Sequence, residues 1–440
     1  MKISVIGCGY LGAVHAACMA TLGHEVVGID VDEAKIAALA AGRAPFFEPG
    51  LPEVLQQGMA GGKLSFATDI AAAAGADVHF IGVGTPQAPG ELRADLQYVD
   101  AAVAGLLPLL RPGDVVVGKS TVPVGTAERL AAQFAAVGAV LIWNPEFLRE
   151  GFAVADTLHP DRIVYGLPTD DHGVATAAAL RAKDRLDEVY AVPLAEGIPL
   201  VVTDLATAQL VKVAANSFLA TKISFINAMA ELCEAAGADV TQLADAIGYD
   251  SRIGRRFLNA GLGFGGGCLP KDIRAFMARA DELGVSAALT FLREVDLINT
   301  RCQERIVRRA NELCGGSLAG CRVAVLGASF KPDSDDIRNS PALAVATALA
   351  AAGAHVVVTD PEAIDNARAR HPELDYAPTA PAAAAGADVV VLATEWSQFR
   401  ALDPEQLGAV VAQRAIIDGR NVLDPGTWRA AGWQYRGMGR

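Results

Sequence analysis

The hydrophobic residues at the start of the chain form a short run that is followed by a helical pattern. Residues 2–6, KISVI, are mostly apolar and rich in β-branched side chains, which is typical of a strand buried in a parallel sheet. A helical stretch over 13–22 ends at Gly23, and HEVVGID then forms a second strand that ends at Asp30. Apolar strands ending in turns recur at 75–86 and 113–126, and a further strand falls within 139–151. This rhythm predicts a doubly wound α/β domain.

The pattern changes to helical spacing from about Thr203. Apolar residues recur three and four positions apart for over thirty residues, without Gly or Pro until Gly237. Few charges interrupt them, so we expect a long helix that is buried on most sides. A second helical stretch, roughly 286–313, is long enough to cross the molecule. Helices this apolar predict a central helical domain and a homodimer formed through the long helix.

The last part of the chain repeats the first. GCRVAVLG (320–327) corresponds to KISVIG, AAGAHVVVTD (351–360) to TLGHEVVGID, and GADVVVLATE (386–395) to GADVHFIGVG. RAIIDGRNV (414–422) corresponds to GDVVVGKSTV. The repetition predicts a second doubly wound domain. We therefore expect two Rossmann-like domains, 1–200 and 316–440, joined by a central helical domain, 201–315.

A nucleotide-binding pattern follows the first strand. Gly7, Gly9 and Gly12 have the G-x-G-x-x-G spacing at the start of a helix, and Asp30 ends the second strand. These glycines permit a tight turn, close approach of the backbone to a pyrophosphate, and close packing of helix on strand, while the aspartate suits ribose hydroxyls. Because Asp30 repels a 2′-phosphate and has no arginine directly beside it, the pattern favours NAD over NADP.

Polar residues also follow the later strands. Ligands of open parallel sheets bind beyond the carboxyl ends of the strands, so we expect the nicotinamide side to be lined by Thr85, Pro86, Ser120 and Thr121. The alternative is that these residues only form turns and caps. The segment after the next strand carries Glu146, Arg149 and Glu150, which form either a salt-bridged turn or a carboxylate that positions a water.

The stretch 257–272, FLNAGLGFGGGCLPKD, combines five glycines with Cys268, Lys271 and Asp272. A thiol presented by such a loop beside an ammonium and a carboxylate has the parts of an activated nucleophile. The alternative is a flexible loop that ends at a helix, with the cysteine as a small hydrophobe. On the long helix, Lys212 and Asn216 are four residues apart and share one face, and a buried lysine is costly unless it meets an anion.

The first turn of the repeated domain keeps Gly327 but replaces the other glycines with ASFKPDSDDIRN. Side-chain cations, Lys331 and Arg338, thus stand where the first domain offers backbone, which suits a second nucleotide-like anion. The alternative is a salt-bridged loop, since Asp333, Asp335 and Asp336 lie between the two cations.

Composition narrows the class of protein. A net charge of −13 and a pI near 5.1 argue against a general nucleic-acid binder. Seven cysteines, an odd count, indicate reduced thiols in a cytoplasmic protein, and without a Cys/His cluster we expect no metal. The N-terminus superficially resembles a signal peptide, but its glycines have nucleotide-binding spacing. We expect no membrane association, because no uninterrupted apolar span reaches membrane length.

The ordered motifs together resemble the UDP-glucose/GDP-mannose dehydrogenase family over essentially the whole chain. They are GCGYLG, VGTP, STVPVGT, NPEFLREG, K-x-x-x-N, KISF-x-N, GFGGGCLPKD and F-K-P-D-S-D-D-I-R. One departure is Gly267, where the family usually has serine. The resemblance implies a four-electron oxidation of the C6 alcohol of a nucleotide sugar, UDP-glucose most closely, to the carboxylate, with two NAD⁺ consumed.

The resemblance also implies roles for individual residues. Cys268 attacks the C6 aldehyde, Lys212 and Asn216 stabilise the oxyanion, and Asp272 takes part in proton transfer. Glu150 assists thioester hydrolysis, and Thr121 positions substrate or water. Further cofactor contacts are expected at Tyr10, Leu11, Lys35, Glu150 and Lys271. Further substrate contacts are expected at Phe147, Leu148, Arg149, Glu150, Arg252 (across a dimer interface), Phe257, Leu258, Gly261, Gly263, Phe264, Gly265, Phe330, Lys331 and Arg338.

Three alternatives remain open. The same chemistry can act on GDP-mannose or a UDP-N-acetyl-hexosamine. A two-electron dehydrogenase of hydroxyacid type shares the first domain and the helices but needs neither Cys268 nor a second nucleotide-binding domain. A non-catalytic NAD sensor is disfavoured by the intact Cys268, Lys212 and Asp272.

Overall fold

The computed structural model describes all residues from Met1 to Arg440 and contains two compact units. The first unit comprises Met1–Ala215 and Arg274–Leu283, and the second comprises Asn216–Ile273 and Gly284–Arg440. None of the helices combines the length and the apolar character that a membrane crossing requires. No group of three or more His, Cys, Asp or Glu side chains is arranged to hold a metal ion.

The first unit is built on an eight-stranded sheet with the order β3-β2-β1-β4-β5-β6-β7-β8. Its strands are β1 Lys2–Ile6, β2 Glu25–Ile29, β3 Leu64–Ala67, β4 Val78–Ile81, β5 Val115–Gly118, β6 Val140–Trp143, β7 Ile163–Leu167 and β8 Leu200–Asp204. Only the β6–β7 pair is antiparallel. The central strands β4 and β5 are buried along their whole length, as continuous apolar runs in a parallel sheet require.

Helices cover both faces of this sheet. They are α1 Tyr10–Thr21, α2 Glu33–Ala40, α3 Leu51–Ala60, α4 Gln97–Leu106, α5 Thr126–Ala136, α6 Ala153–Leu158, α7 Ala177–Val189 and α8 Ala191–Ala195. Separate apolar cores lie on the two faces, one around α1 and one around Phe134. The order reverses between β1 and β4, and ligands of such sheets bind at this switch point.

Four helices form the middle of the chain: α9 Leu205–Ala236, α10 Val240–Gly248, α11 Leu269–Glu282 and α12 Thr290–Leu313. Helix α9 is 32 residues long and ends just before Gly237, whose φ of +70° is typical of a residue that ends a helix. The predicted long helix is therefore confirmed, but one apolar face of it, with Phe218, Phe225 and Leu232, is exposed in this chain. Of the second predicted helical stretch, residues 286–289 form a 3₁₀ turn and the remainder is α12.

The second unit contains a six-stranded parallel sheet with the order β11-β10-β9-β12-β13-β14. The strands are β9 Arg322–Leu326, β10 His355–Thr359, β11 Asp375–Tyr376, β12 Val389–Leu392, β13 Ala415–Asp418 and β14 Gln434–Gly437. The helices are α13 Pro341–Ala351, α14 Ile364–Arg370, α15 Ala380–Ala384, α16 Ser397–Arg400, α17 Pro404–Gly408 and α18 Pro425–Ala430. The first five strands repeat the order of β1 to β5.

The predicted fold class, two Rossmann-like domains and a central helical region, is confirmed. The start of α9 belongs to the first unit, whereas most of the predicted central domain belongs to the second. The three-domain limits 1–200, 201–315 and 316–440 therefore stay a prediction, as does the cytoplasmic location.

Candidate active site

The turn after β1 leaves room for a phosphate at the start of α1. Gly7 has a φ of +91°, and a Cβ on Gly12 would clash with the carbonyl oxygen of Gly7. A Cβ on Gly9 would meet nothing within 4 Å. Gly9 is also the N-cap of α1, which has no side-chain cap and no acidic residue in its first turn. The first-turn N–H groups therefore meet no competing protein anion, and the turn fits a dinucleotide phosphate.

Asp30 follows β2, as predicted, but it has a cationic neighbour. Its Oδ2 lies 3.1 Å from the Nζ of Lys35 on α2, and its Oδ1 accepts a hydrogen bond from the N–H of Asp32.

Of the predicted cofactor residues, Leu11 lies near Gly82 at the end of β4. The Tyr10 hydroxyl donates to the buried carboxylate of Glu48, which also accepts from the backbone N–H groups of residues 151 and 153. Tyr10 thus holds the segment after β6.

The hydroxyls at the ends of β4 and β5 bind neighbouring backbone. Thr85 donates to the carbonyl of Thr121 at 2.7 Å, and Ser120 donates to the carbonyl of Val83 at 2.7 Å. The carbonyl of Pro86 accepts a hydrogen bond from the N–H of Asp95. These bonds support the turn-forming interpretation of these residues, and their contact with the cofactor stays a prediction.

A buried ion pair lies where β5 and β6 end. The Nζ of Lys119 is 3.1 Å from the carboxylate of Glu146, 3.0 Å from the Oδ1 of Asn144 and 3.3 Å from the hydroxyl of Tyr190. Burial raises the pKa of the Glu146 carboxyl, but the Lys119 ammonium and the N–H of Phe147 outweigh this effect and hold that pKa below its usual value. Glu146 is therefore an ionised carboxylate in a desolvated position.

Phe147 links this pair to the long helix. Its ring centroid lies 5.5 Å from the Nζ of Lys212 and 3.9 Å from the guanidinium of Arg162, so cations flank the ring. Lys212 is buried, and it also helps to lower the pKa of Glu146. The structure thus brings the predicted residues Phe147 and Lys212 together.

The other predicted residues of this segment have protein partners or are buried. Arg149 forms an ion pair with Asp156 at 2.6 Å, which supports the salt-bridged alternative. Leu148 packs against the apolar core, and Glu150 is buried. Their contacts with ligands stay predictions.

In the second unit, every glycine of the 257–272 stretch is closely packed. A Cβ on Gly261 would lie 2.6 Å from the carbonyl oxygen of Gly419, and a Cβ on Gly266 would lie 2.8 Å from the Phe330 ring. A Cβ on the remaining glycines would clash with Asn299 (at Gly263), Asn339 (at Gly265) and Arg338 (at Gly267). Close packing requires glycine at positions 261, 263, 265 and 266, so the flexible-loop alternative does not describe this segment.

Side chains from distant parts of the chain also hold the loop backbone. Asn227 accepts from the N–H of Gly261, and Asn299 accepts from the N–H of Phe264 and donates to its carbonyl. Arg420 donates to the carbonyl of Gly263 at 3.0 Å, and Asn339 donates to that of Gly266 at 3.2 Å. The segment is therefore fixed by its hydrogen bonds as well as by its packing.

Cys268 is the exposed residue at the end of this buried loop. It directly precedes α11, and a helix N-terminus favours a negative charge. Four of the other cysteines are buried, and burial raises the pKa of Cys8 to about 12. The small-hydrophobe alternative for Cys268 does not agree with its exposure.

Asp272 lies one turn after Cys268 and is almost fully buried. Its Oδ2 accepts a hydrogen bond from the Nδ2 of Asn216 at 2.7 Å, and its Oδ1 is bonded to the Nζ of Lys271. Three of the predicted residues, Asn216, Lys271 and Asp272, thus form one hydrogen-bonded group. Lys222, further along α9, is not part of this group and donates to the carbonyls of Ile253 and Gly254.

The remaining predicted substrate residues are placed as follows. Phe330 packs on Gly266, the Lys331 ammonium lies 5.6 Å from the Phe330 ring centroid, and Arg338 pairs with Asp336 at 2.6 Å, as the salt-bridge alternative predicted.

Arg252 pairs with Asp250. The side chain of Leu258 is in the core, so only its backbone is available to a ligand. Phe257 has a φ of +67°, an uncommon and costly conformation for an aromatic residue.

The packing predicts different effects of two alanine substitutions. Gly265→Ala places its Cβ against the backbone of Asn339 and 2.6 Å from the Pro341 ring, neither of which moves easily. Gly267→Ala meets only the far end of the flexible Arg338 side chain. We expect Gly265→Ala to lower the free energy of unfolding by about 1–3 kcal/mol, as overpacking does, and Gly267→Ala to lower it by less than about 0.5 kcal/mol. Urea unfolding of both variants measures this, and equal losses contradict the packing argument.

Sequence reasoning missed several residues that build the site. Lys119, Arg162, Asn299 and Arg420 all contact predicted residues or the glycine loop. Lys119 directly follows β5, and Arg420, the second residue after β13, stands in the corresponding segment of the repeat. A single buried asparagine inside a long helix, such as Asn299 in α12, is a weaker signal.

Comparisons with known proteins agree with this arrangement. Sequence profiles of the UDP-glucose/GDP-mannose dehydrogenase family match residues 1–191 (its NAD binding domain), 206–301 (its central domain) and 324–425 (its UDP binding domain). A UDP-glucose 6-dehydrogenase of Rhizobium meliloti is 43% identical over 445 aligned residues, which cover 100% of both chains.

Solved structures of nucleotide-sugar dehydrogenases have a similar fold. A UDP-glucose dehydrogenase from Pyrobaculum islandicum superposes with a TM-score of 0.89 and 39% identity, covering 100% of this chain and 97% of the other. A UDP-D-ManNAc dehydrogenase from Pyrococcus horikoshii has a TM-score of 0.85 and 26% identity, covering 100% and 99%.

Proposed function

The chain belongs to the UDP-glucose/GDP-mannose dehydrogenase family, and from this premise we propose that it oxidises C6 of UDP-glucose from the alcohol to the carboxylate. The observation that carries the proposal is Cys268, an exposed thiol at the end of a buried and closely packed glycine loop. A two-electron oxidation of an alcohol needs no such thiol. Oxidation to the acid does, because an aldehyde must first become an adduct that again bears a hydridic C–H bond.

The chemistry proceeds through a bond to Cys268. Its thiolate adds to the aldehyde carbon and forms a thiohemiacetal, which loses a hydride to become a thioester. Water then adds to the thioester and releases the carboxylate and the thiol. NAD, when bound, supplies the hydride acceptor for both oxidations. The residues that suit its pyrophosphate and ribose are Gly7, Gly9, Gly12 and Asp30, where the turn is open and α1 is uncapped.

The polar residues take the following parts in this scheme. The Lys212 ammonium and the Asn216 amide donate to the developing oxyanion, and each such donor contributes about 3–4 kcal/mol in comparable sites. Asp272 accepts a hydrogen bond from Asn216, so it orients that amide and is placed to exchange a proton with a water. Glu150 assists hydrolysis of the thioester. Phe330, Lys331 and Arg338, on the loop after β9, contact the nucleotide.

The exposed apolar face of α9 supports the proposal of a homodimer. Phe218, Phe225 and Leu232 are seven residues apart, so they lie along one face, and they are 67%, 48% and 61% exposed. A second copy of the chain covers such a face, and Arg252 then reaches the partner's nucleotide sugar. A mass in solution near twice 45.6 kDa supports this proposal, and a monomer contradicts it.

A substrate panel tests the identity of the nucleotide sugar. UDP-glucose, GDP-mannose, UDP-N-acetylglucosamine and UDP-N-acetylmannosamine are each supplied at limiting concentration with excess NAD⁺, and NADH is measured. We expect kcat/KM for UDP-glucose to exceed the others by at least about 100-fold, since buried polar groups discriminate strongly between ligands. Preference for a different sugar or base replaces this substrate with the alternative that the panel identifies.

A further inference from the structure

The two sheets use the aspartate after their second strand in different ways. Asp30 follows β2 and is bonded to Asp32 and Lys35. Asp360, its counterpart in the repeat, follows β10 and is only 2% exposed. A fully buried carboxylate is costly unless its oxygens are satisfied by donors, so its partners indicate what it does.

Asp360 accepts six hydrogen bonds. Its Oδ2 accepts from the N–H of Ala328 at 2.7 Å, the N–H and hydroxyl of Ser329 at 3.0 Å each, and the Nε1 of Trp396 at 3.1 Å. Its Oδ1 accepts from the N–H groups of Glu362 and Ala363 at 3.0 and 2.9 Å. The carboxylate therefore joins three parts of the chain. They are the turn after β9, the residues that follow β10, and Trp396, which lies after β12.

The turn that Asp360 holds is fixed at its carbonyls as well. The Ser340 hydroxyl donates to the carbonyl of Ala328 at 2.6 Å, and the Thr394 hydroxyl donates to that of Ser329 at 2.7 Å. Arg420 donates to the carbonyl of Phe330 at 3.3 Å. Side chains thus satisfy every backbone polar group of residues 328–330 except the N–H of Phe330, which donates to the carbonyl of Asp336, whereas the first sheet has a glycine turn here.

Phe330 connects this hydrogen-bonded turn to the glycine loop. Its ring packs so closely on Gly266 that an added Cβ would approach within 2.8 Å, and Gly266 is two residues before Cys268. The backbone N–H of Gly266 also donates to the carbonyl of Arg338, later on the same β9 loop. The contacts therefore run from Asp360 through 328–330 and Phe330 to the glycine loop, all within the second unit.

We propose that Asp360 is a positioning residue for nucleotide-sugar oxidation, which holds residues 328–330 so that Phe330 fixes the glycine loop and thereby Cys268. The inference rests on the proposed function and deepens it. Asp360 thus stands at the position that suits ribose hydroxyls in the first domain, but its oxygens bind the chain itself.

The isosteric variant Asp360→Asn tests this role. An amide has only one acceptor oxygen, so its NH₂ group must face either the four donors at Oδ2 or the two at Oδ1. We expect KM for the nucleotide sugar to rise about ten-fold and kcat to fall about ten-fold, because small misplacements of reacting groups are costly. KM for NAD⁺ stays within about two-fold, since the fingerprint turn is in the other unit.

Asp388→Asn is the matched control. Asp388 also accepts from a backbone N–H, that of Arg322, but at the opposite end of the same sheet. Similar kinetics for the two variants overturn the proposal, because they indicate general destabilisation of the domain. If Asp360→Asn does not fold, the Ser329→Ala variant, which removes one of the donors to Asp360, is measured in its place. KM for the nucleotide sugar is then expected to rise about two- to three-fold.

A readout without substrate separates this inference from the proposed function. Iodoacetamide alkylation of Cys268, followed by mass spectrometry of its peptide, is expected to change at least about three-fold in rate in Asp360→Asn and not in Asp388→Asn. An unchanged rate contradicts the positioning role. Wild-type chain that fails to oxidise any nucleotide sugar contradicts the proposed function alone, since the alkylation result still stands.

Discussion

The Cys268→Ser variant is expected to lose release of the carboxylate product by at least about 1,000-fold, which is the scale of loss when a catalytic nucleophile is removed. A serine hydroxyl is a much weaker nucleophile than a thiolate, and an oxygen ester is hydrolysed more slowly than a thioester. The first oxidation does not use the thiol, so aldehyde or an enzyme-bound adduct should accumulate. Quenched reactions analysed by mass spectrometry measure both species.

Cys321→Ser is the matched control, since Cys321 is a half-buried thiol of the same unit. It should turn over like the unmodified chain. Normal carboxylate formation by Cys268→Ser would show that the exposed thiol at the end of the glycine loop is not the nucleophile.

The Lys119→Met variant is expected to lose about 3 kcal/mol of stability, because it removes the buried ammonium that pairs with the half-buried carboxylate of Glu146. The substitution also removes the hydrogen bonds that Lys119 donates to Asn144 and Tyr190, which lie in the same buried group. For a unit of this size the loss corresponds to roughly a 10 °C fall in melting temperature. Differential scanning calorimetry measures it on the full chain.

Two further measurements test the cause of that loss. The double variant Lys119→Met/Glu146→Gln removes both charges, so it should recover a large part of the stability. Because Lys119 lowers the pKa of Glu146, the pair contributes stability above the unfolded pKa of the carboxyl, and this contribution disappears as the pH falls through the folded value. The difference between wild type and Lys119→Met should therefore narrow below about pH 4.5. A constant difference, or no rescue, contradicts the ion-pair explanation.

The sequence predicted the elements whose signals are local. The β1–turn–α1 segment has its glycines at fixed spacing, α9 lacks Gly and Pro between Thr203 and Gly237, and the repeated strands carry similar apolar runs. Each of these patterns depends on neighbours within a few residues, so it is visible without the fold. The repetition predicted a second doubly wound domain, and the first five strands of the second sheet do repeat the order of β1 to β5.

Long-range partners could not be predicted in the same way. Gly261 and Gly265 are required by the backbone at Gly419 and Asn339, far along the chain, and Asn299 binds Phe264 from a different helix. Asp30 and Asp360 occupy corresponding positions after similar strands, yet only Asp360 is an internal clamp. Which donors surround a carboxylate depends on tertiary packing, so the two roles could not be separated from the sequence.

Counting NADH tests the central claim most directly, namely that the thiol of Cys268 carries a two-step oxidation. A limiting, known amount of UDP-glucose is converted to completion with excess NAD⁺, and the NADH absorbance is compared with the nucleotide sugar consumed. The four-electron chemistry requires two NADH for each UDP-glucose. A ratio of one contradicts the proposed function and favours a simple two-electron dehydrogenase.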